Sequence, residues 1–221
     1  MSTQQPTPRV TAAGSGIGRA TGFELDSRDE PSANSIESAL ARNRAFAAAG
    51  GHEGAVVFPN LRLFVITCLD PRTDPAHFLG LGLSDAMVLR NVGGRVTPEA
   101  INDIAFIGQL AETALPEGPL FEVAVIHHTQ CGTGALADDT FRGNYAQRIG
   151  AEESALREHA VLDPAATVTY DVERLRSAPA ISPQVTVSGH VYDVVTGLVQ
   201  TVDSPARTIY HKLDSSGGRE L

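Results

Sequence analysis

Three short stretches of the chain are almost continuously apolar: residues 61–67 (LRLFVIT), 86–91 (AMVLRN) and 121–126 (FEVAVI). They are rich in branched and aromatic side chains and end at polar or glycine clusters, which predicts strands buried on both faces. Two other stretches carry the helical period. From Ser35, IESALARNRAFAAAG places Ile36, Leu40 and Phe46 among alanines and stops at Gly50 and Gly51. Pro98 opens a second one, running to about Ala114, with apolar positions at Ile101, Ile104, Ala105 and Ile107. Late in the chain QVTVSGHVYDVVTGLVQTV reads as two strands joined at Thr196 and Gly197, a hairpin or sheet-edge addition.

Alternating strands and helices imply βαβ crossovers. The expected fold is therefore α/β: a central, mostly parallel β-sheet flanked by helices, with the hairpin or edge strand added late. In such sheets ligands bind at the carboxyl ends of the strands. Residues 1–32 are rich in Ser, Thr, Pro, Gly and charge without a sustained apolar period, and are expected to form a flexible extension. Residues 33–210 are expected to form one domain and 211–221 a polar tail.

The 221 residues include 26 acidic and 17 basic side chains, a net charge of -9. That balance argues against a nucleic-acid partner, which selects clustered Lys and Arg. No run approaches the roughly 20 apolar residues of a membrane helix, and MSTQQPTPRV is not a secretory leader, so no membrane association and a cytoplasmic location are expected. Lys212 is the single lysine and lies in the polar tail, which disfavours Schiff-base chemistry. Two cysteines, Cys68 and Cys131, are too few for the framework of a small secreted domain.

Both cysteines follow strands. The first strand ends in Cys68-Leu69-Asp70-Pro71-Arg72 and the third runs into His128-Thr129-Gln130-Cys131-Gly132. Neighbouring parallel strands lie about 5 Å apart, so adjacent carboxyl ends can bring Cys68 to His128 and Cys131. Two thiolates and an imidazole suit zinc, and three protein ligands leave its fourth position to water. Zinc lowers the pKa of that water to about 7, so the implied nucleophile is zinc-bound hydroxide, attacking a small electrophilic carbon. His127 is the other candidate ligand; successive strand side chains face opposite ways, and the His-x-x-Cys spacing favours His128.

The pairing of Cys-x-Asp-x-Arg with His-x-x-Cys resembles the β-class carbonic anhydrases. ARNRAFA, VLRNVGG and GHVYDVVTGLV resemble that family's first helix, second strand with its glycine turn, and late hairpin. The resemblance implies a β-carbonic anhydrase-like fold, one Zn2+ per subunit on Cys68, His128 and Cys131, and a catalytic pair of Asp70 and Arg72. The arginine would keep Asp70 ionised and aimed. Gly93, Gly94 and Gly132 are assigned to the substrate cavity, Gly93 and Gly94 having a plain turn role as the alternative. The implied reaction is reversible hydration of carbon dioxide to bicarbonate, in a homodimer or larger even assembly. In some members the aspartate swings onto zinc at lower pH, and a regulatory bicarbonate pocket uses a tryptophan, which this chain lacks. Pro71 and Gln130 depart from the usual pattern; proline removes one amide donor beside Asp70.

Other readings compete. The same site would suit a hydrolase of carbon disulfide or carbonyl sulfide, or a catalytically weak bicarbonate-binding homologue. The cysteines could instead be plain core residues or a disulfide. VTAAGSGIGRAT is similar to the glycine-rich turn of short-chain dehydrogenases, but few and mostly polar residues precede it, Ala12 replaces the first glycine, and no Tyr-x-x-x-Lys pair exists. His77, His159, His190 and His211 have no partner legible in the sequence and are expected to be surface or structural.

Overall fold

A computed structural model describes residues 35–114 and 120–207. The expected extension over 1–32, its glycine-rich turn and the tail over 211–221 lie outside the described residues. The first helix, α1, spans Ser35–Ala48, and strand β1 follows at Leu63–Cys68. β1 starts two residues later than the apolar run. Arg62 takes a left-handed turn (φ 48°), with its amide donating to the Pro59 carbonyl (3.0 Å).

The short helix α2 (Pro75–Phe78) leads to β2 (Ala86–Asn91), and α3 (Pro98–Ala114) leads to β3 (Glu122–His128). Thr97 Oγ1 accepts from the Ala100 amide at the start of α3, where Pro98 needs no donor. Three helices that the apolar pattern did not reveal follow: α4 (Asp139–Ile149), α5 (Glu153–Glu158) and α6 (Pro164–Arg176). Their starts are nevertheless chemical. Asp138 caps Phe141 N (2.8 Å), and Asp163 caps Ala165 N and Ala166 N ahead of Pro164. β4 (Thr186–Tyr192) and β5 (Val199–Arg207) complete the described residues.

The sheet order is β2-β1-β3-β4-β5; the first four strands are parallel and β5 joins antiparallel, the late hairpin expected from the sequence. Pro205 is tolerated because β5 is an edge. One face packs Phe64, Ile66, Val123, Val125 and Val187 against Ile104 of α3 and Val168, Val172 and Leu175 of α6. The other buries Val65, Ala124 and Ile126 under Phe78 and Tyr192, whose rings stack 4.4 Å apart. Both faces of β1 and β3 are thus covered, which is why these strands lack polar alternation. Among the described residues no helix is long and apolar enough to cross a membrane.

Candidate metal centre

β1 and β3 are direct neighbours, so their carboxyl ends deliver both motifs to one point. There Cys68, His128 and Cys131 are all buried and offer ligand atoms that lie within 4.8 Å of one another. The Sγ atoms are 4.0 Å apart and both cysteines are free. His128 Nδ1 faces the Thr129 carbonyl (2.9 Å) and so carries the proton. Its Nε2 is buried and without a hydrogen-bond partner among the described residues. An orphaned imidazole nitrogen between two sulfurs is a donor set fitted to a borderline-soft divalent metal.

The two sulfurs share one hydrogen bond. Cys68 is pushed up to about 12 by that bond to Cys131 and by burial, whereas Cys131 is brought down to about 6, first by the bond from Cys68 and then by Thr133. Cys131 holds the thiolate, because the Thr133 hydroxyl also reaches it (3.1 Å).

Beside the sulfurs stands the ion pair. Arg72 donates Nε to Asp70 Oδ1 (2.9 Å) and Nη2 to Oδ2 (2.7 Å), and its backbone amide adds a third bond to Oδ1 (2.9 Å). The hydrogen bonds from Arg72 hold the Asp70 carboxyl down at about 2. Pro71 removes nothing essential: it opens a single 3-10 turn, Pro71–Thr73, for which Asp70 is the cap, and a first helical position has no use for an amide. Gln130 proves to be the outer stop for the arginine, its carbonyl accepting from Arg72 Nη2 (3.1 Å) and its side chain from Nη1 (3.4 Å).

A pocket of about 390 Å³ opens over Cys68 and Asp70, walled by Val92, Leu136 and Phe141, with Gly93 and Gly132 in its lining. Gly94 is not in that lining. It has a φ of 67°, and a Cβ there would stand 2.9 Å from Cys68 N and from the Thr67 carbonyl carbon, so its role is backbone approach behind β1. Gly94→Ala is expected to destabilise the protein by about 2 kcal/mol, read as a lowered urea midpoint; an unchanged midpoint would contradict this packing. A larger apolar cleft of about 440 Å³, around Phe58, Ile107 and Phe121, has no histidine, cysteine or carboxylate in its lining among the described residues.

His127 points away from the sulfurs. Its Nε2 lies 3.2 Å from the Gly94 carbonyl and 3.3 Å from Asp171 Oδ2, in full burial. His190 is a structural histidine between Ser188 and Thr201. Sequence reasoning missed Thr133, Arg90 and the buried pair Arg95–Asp171. Arg90 clamps the Cys68 and Asp70 carbonyls (3.0 and 2.7 Å).

A mostly parallel α/β sheet carrying at its strand ends three donors that could hold a metal ion fits a metal-site enzyme, and comparison with known proteins gives the family. Residues 63–199 match the carbonic anhydrase family. The chain belongs to that family, in its β class. It is 28% identical over 155 residues to beta-carbonic anhydrase 1 of Mycobacterium tuberculosis, covering 70% of this chain and 90% of that one. It is 30% identical over 176 residues to a carbon disulfide hydrolase of Acidianus, with 69% and 81% covered. The crystal structure of carbonic anhydrase from Streptococcus mutans superposes with a TM-score of 0.64 at 30% identity, covering 76% of this chain and 97% of that one.

Proposed function

We propose that this protein is a zinc-dependent carbonic anhydrase that interconverts carbon dioxide and bicarbonate. The observation that carries the reading is the buried Cys68-His128-Cys131 cluster beside an aspartate already gripped by arginine. Zinc held by these three side chains supplies a Lewis acid that brings a bound water's pKa near 7. Asp70 does the orienting. Arg72 occupies both lone pairs of Oδ1, through Nε and its backbone amide, and one of Oδ2, leaving the second Oδ2 lone pair to take the attacking water's O–H and fix its direction. Gly93 and Gly132 leave room for the linear substrate, and Val92, Leu136 and Phe141 form apolar walls suited to an uncharged one.

The test is stopped-flow carbon dioxide hydration on zinc-replete protein at about pH 7 and about pH 8.5. Because both Asp70 oxygens are engaged by Arg72, turnover is expected at both values. Asp70→Asn should keep zinc and lose roughly 100-fold in rate. Absence of hydration with zinc bound would overturn the assignment. The second reading, hydrolysis of carbon disulfide at the same centre, is favoured by the likeness to the Acidianus enzyme, and hydrogen sulfide release from carbon disulfide would select it.

The assembly is proposed to be a homodimer or larger even oligomer, supported by the exposure of Ile36, Leu40 and Phe46 along α1. A ligand set of free thiols suits a reducing compartment, in keeping with a cytoplasmic location.

A further inference from the structure

Thr133 lies two residues beyond Cys131, buried, with its Oγ1 3.1 Å from the Cys131 sulfur. Two other contacts fix how that hydroxyl points. The Val161 amide donates to the same oxygen (3.3 Å), so one lone pair is taken by a group that cannot reverse its role. Gly93 packs on the other side: a Cβ there would stand 3.2 Å from Thr133 Cγ2 and 3.4 Å from Oγ1. Val161 also packs with both cysteines in a small buried cluster.

We infer that Thr133 is a positioning residue for the metal centre, its hydroxyl donating a hydrogen bond to the Cys131 thiolate and so limiting the charge that sulfur gives the metal. The inference rests on the zinc reading above. A ligating sulfur carries no proton, so the bond can run only from the hydroxyl to sulfur, and such a bond to a charged acceptor is stronger than a neutral one. Outer partners of this kind tune both affinity and electronic character of a site.

The experiment uses the full chain loaded with cobalt(II), whose thiolate-to-metal charge-transfer absorption reports the sulfur directly. Thr133→Val keeps the shape and removes the donor. Its absorption is expected to move to longer wavelength, because an unbonded thiolate holds its lone pair at higher energy, and metal release to a chelator should be about tenfold faster, because the sulfur is no longer held in position and that loss outweighs its stronger donation. Thr133→Ser retains the hydroxyl and is expected to restore the original band and release rate. An unmoved band in the valine variant, or a serine variant that behaves like valine, overturns the inference. Absence of any thiolate band in the unsubstituted protein would instead overturn the metal reading beneath it.

Discussion

Asp171→Ala is expected to destabilise the fold by about 3 to 5 kcal/mol, the loss typical of stranding one charge of a buried pair. Asp171 is fully buried and receives Arg95 Nε (2.7 Å), Arg95 Nη2 (3.1 Å) and the Val96 amide (3.1 Å), with His127 Nε2 at 3.3 Å. Burial alone would raise its carboxyl; the hydrogen bonds from His127 and Arg95 outweigh that and hold it below the ordinary value. The carboxylate also ties three elements together, α6 to the 91–96 turn and to β3. Without it the Arg95 guanidinium keeps, among the described residues, only the backbone carbonyl of Glu158 as an acceptor.

The sign with pH follows. A depressed folded-state pKa contributes stability above the unfolded value, about 3.9, which is lost as pH falls through the lower folded value. The gap between the protein and Asp171→Ala should therefore be constant near neutrality and close in acid. Urea denaturation at several pH values measures it. A gap under about 1 kcal/mol at pH 7 would mean that water reaches Arg95 when the carboxylate is gone. The double variant Asp171→Leu with Arg95→Met should recover much of the loss, since an apolar pair leaves no charge stranded.

The Arg95–Asp171 pair was invisible in the sequence because its two members lie 76 residues apart and belong to neither motif. The strands, by contrast, were legible: β1 and β3 are covered on both faces, and continuous apolar runs are the direct imprint of that burial, whereas β2, expected to be buried in the same way, is an edge strand that is only half-buried, with Val88 exposed. α4 was not, for the opposite reason. DTFRGNYAQRI is mostly polar, and the helix is specified by its Asp138 cap and by Gly150 in the left-handed conformation at its end, local signals that an apolar period does not carry. The two short motifs exposed the metal-type cluster because each sits at the end of a strand. Which histidine joins it was not settled by the pleat. Phe64 and Ile66 pair with Val123 and Val125, so a continued register would set Cys68 level with His127. The strand ends at Cys68, the donors gather beyond the sheet, and His128 is the histidine that meets them.

The second large effect concerns that cluster. His128→Ala and Cys68→Ala are each expected to take zinc from one per chain to near zero and hydration to the uncatalysed rate. A two-ligand remnant keeps neither the geometry nor the three protein donors that retain the metal. The contrast with Asp70→Asn separates binding from turnover: Asp70 is turned to Arg72, and its loss should leave the zinc content intact while the rate falls. Metal analysis after dialysis against a weak chelator, set beside stopped-flow rates for the same preparations, reads both quantities. Zinc at full stoichiometry in Cys68→Ala would remove Cys68 from the ligand set. His127→Gln, on the opposite side of the same strand, should keep zinc although it loosens the Asp171 network; zinc loss there without unfolding would show that the two faces of β3 are coupled more tightly than their separate hydrogen bonds imply.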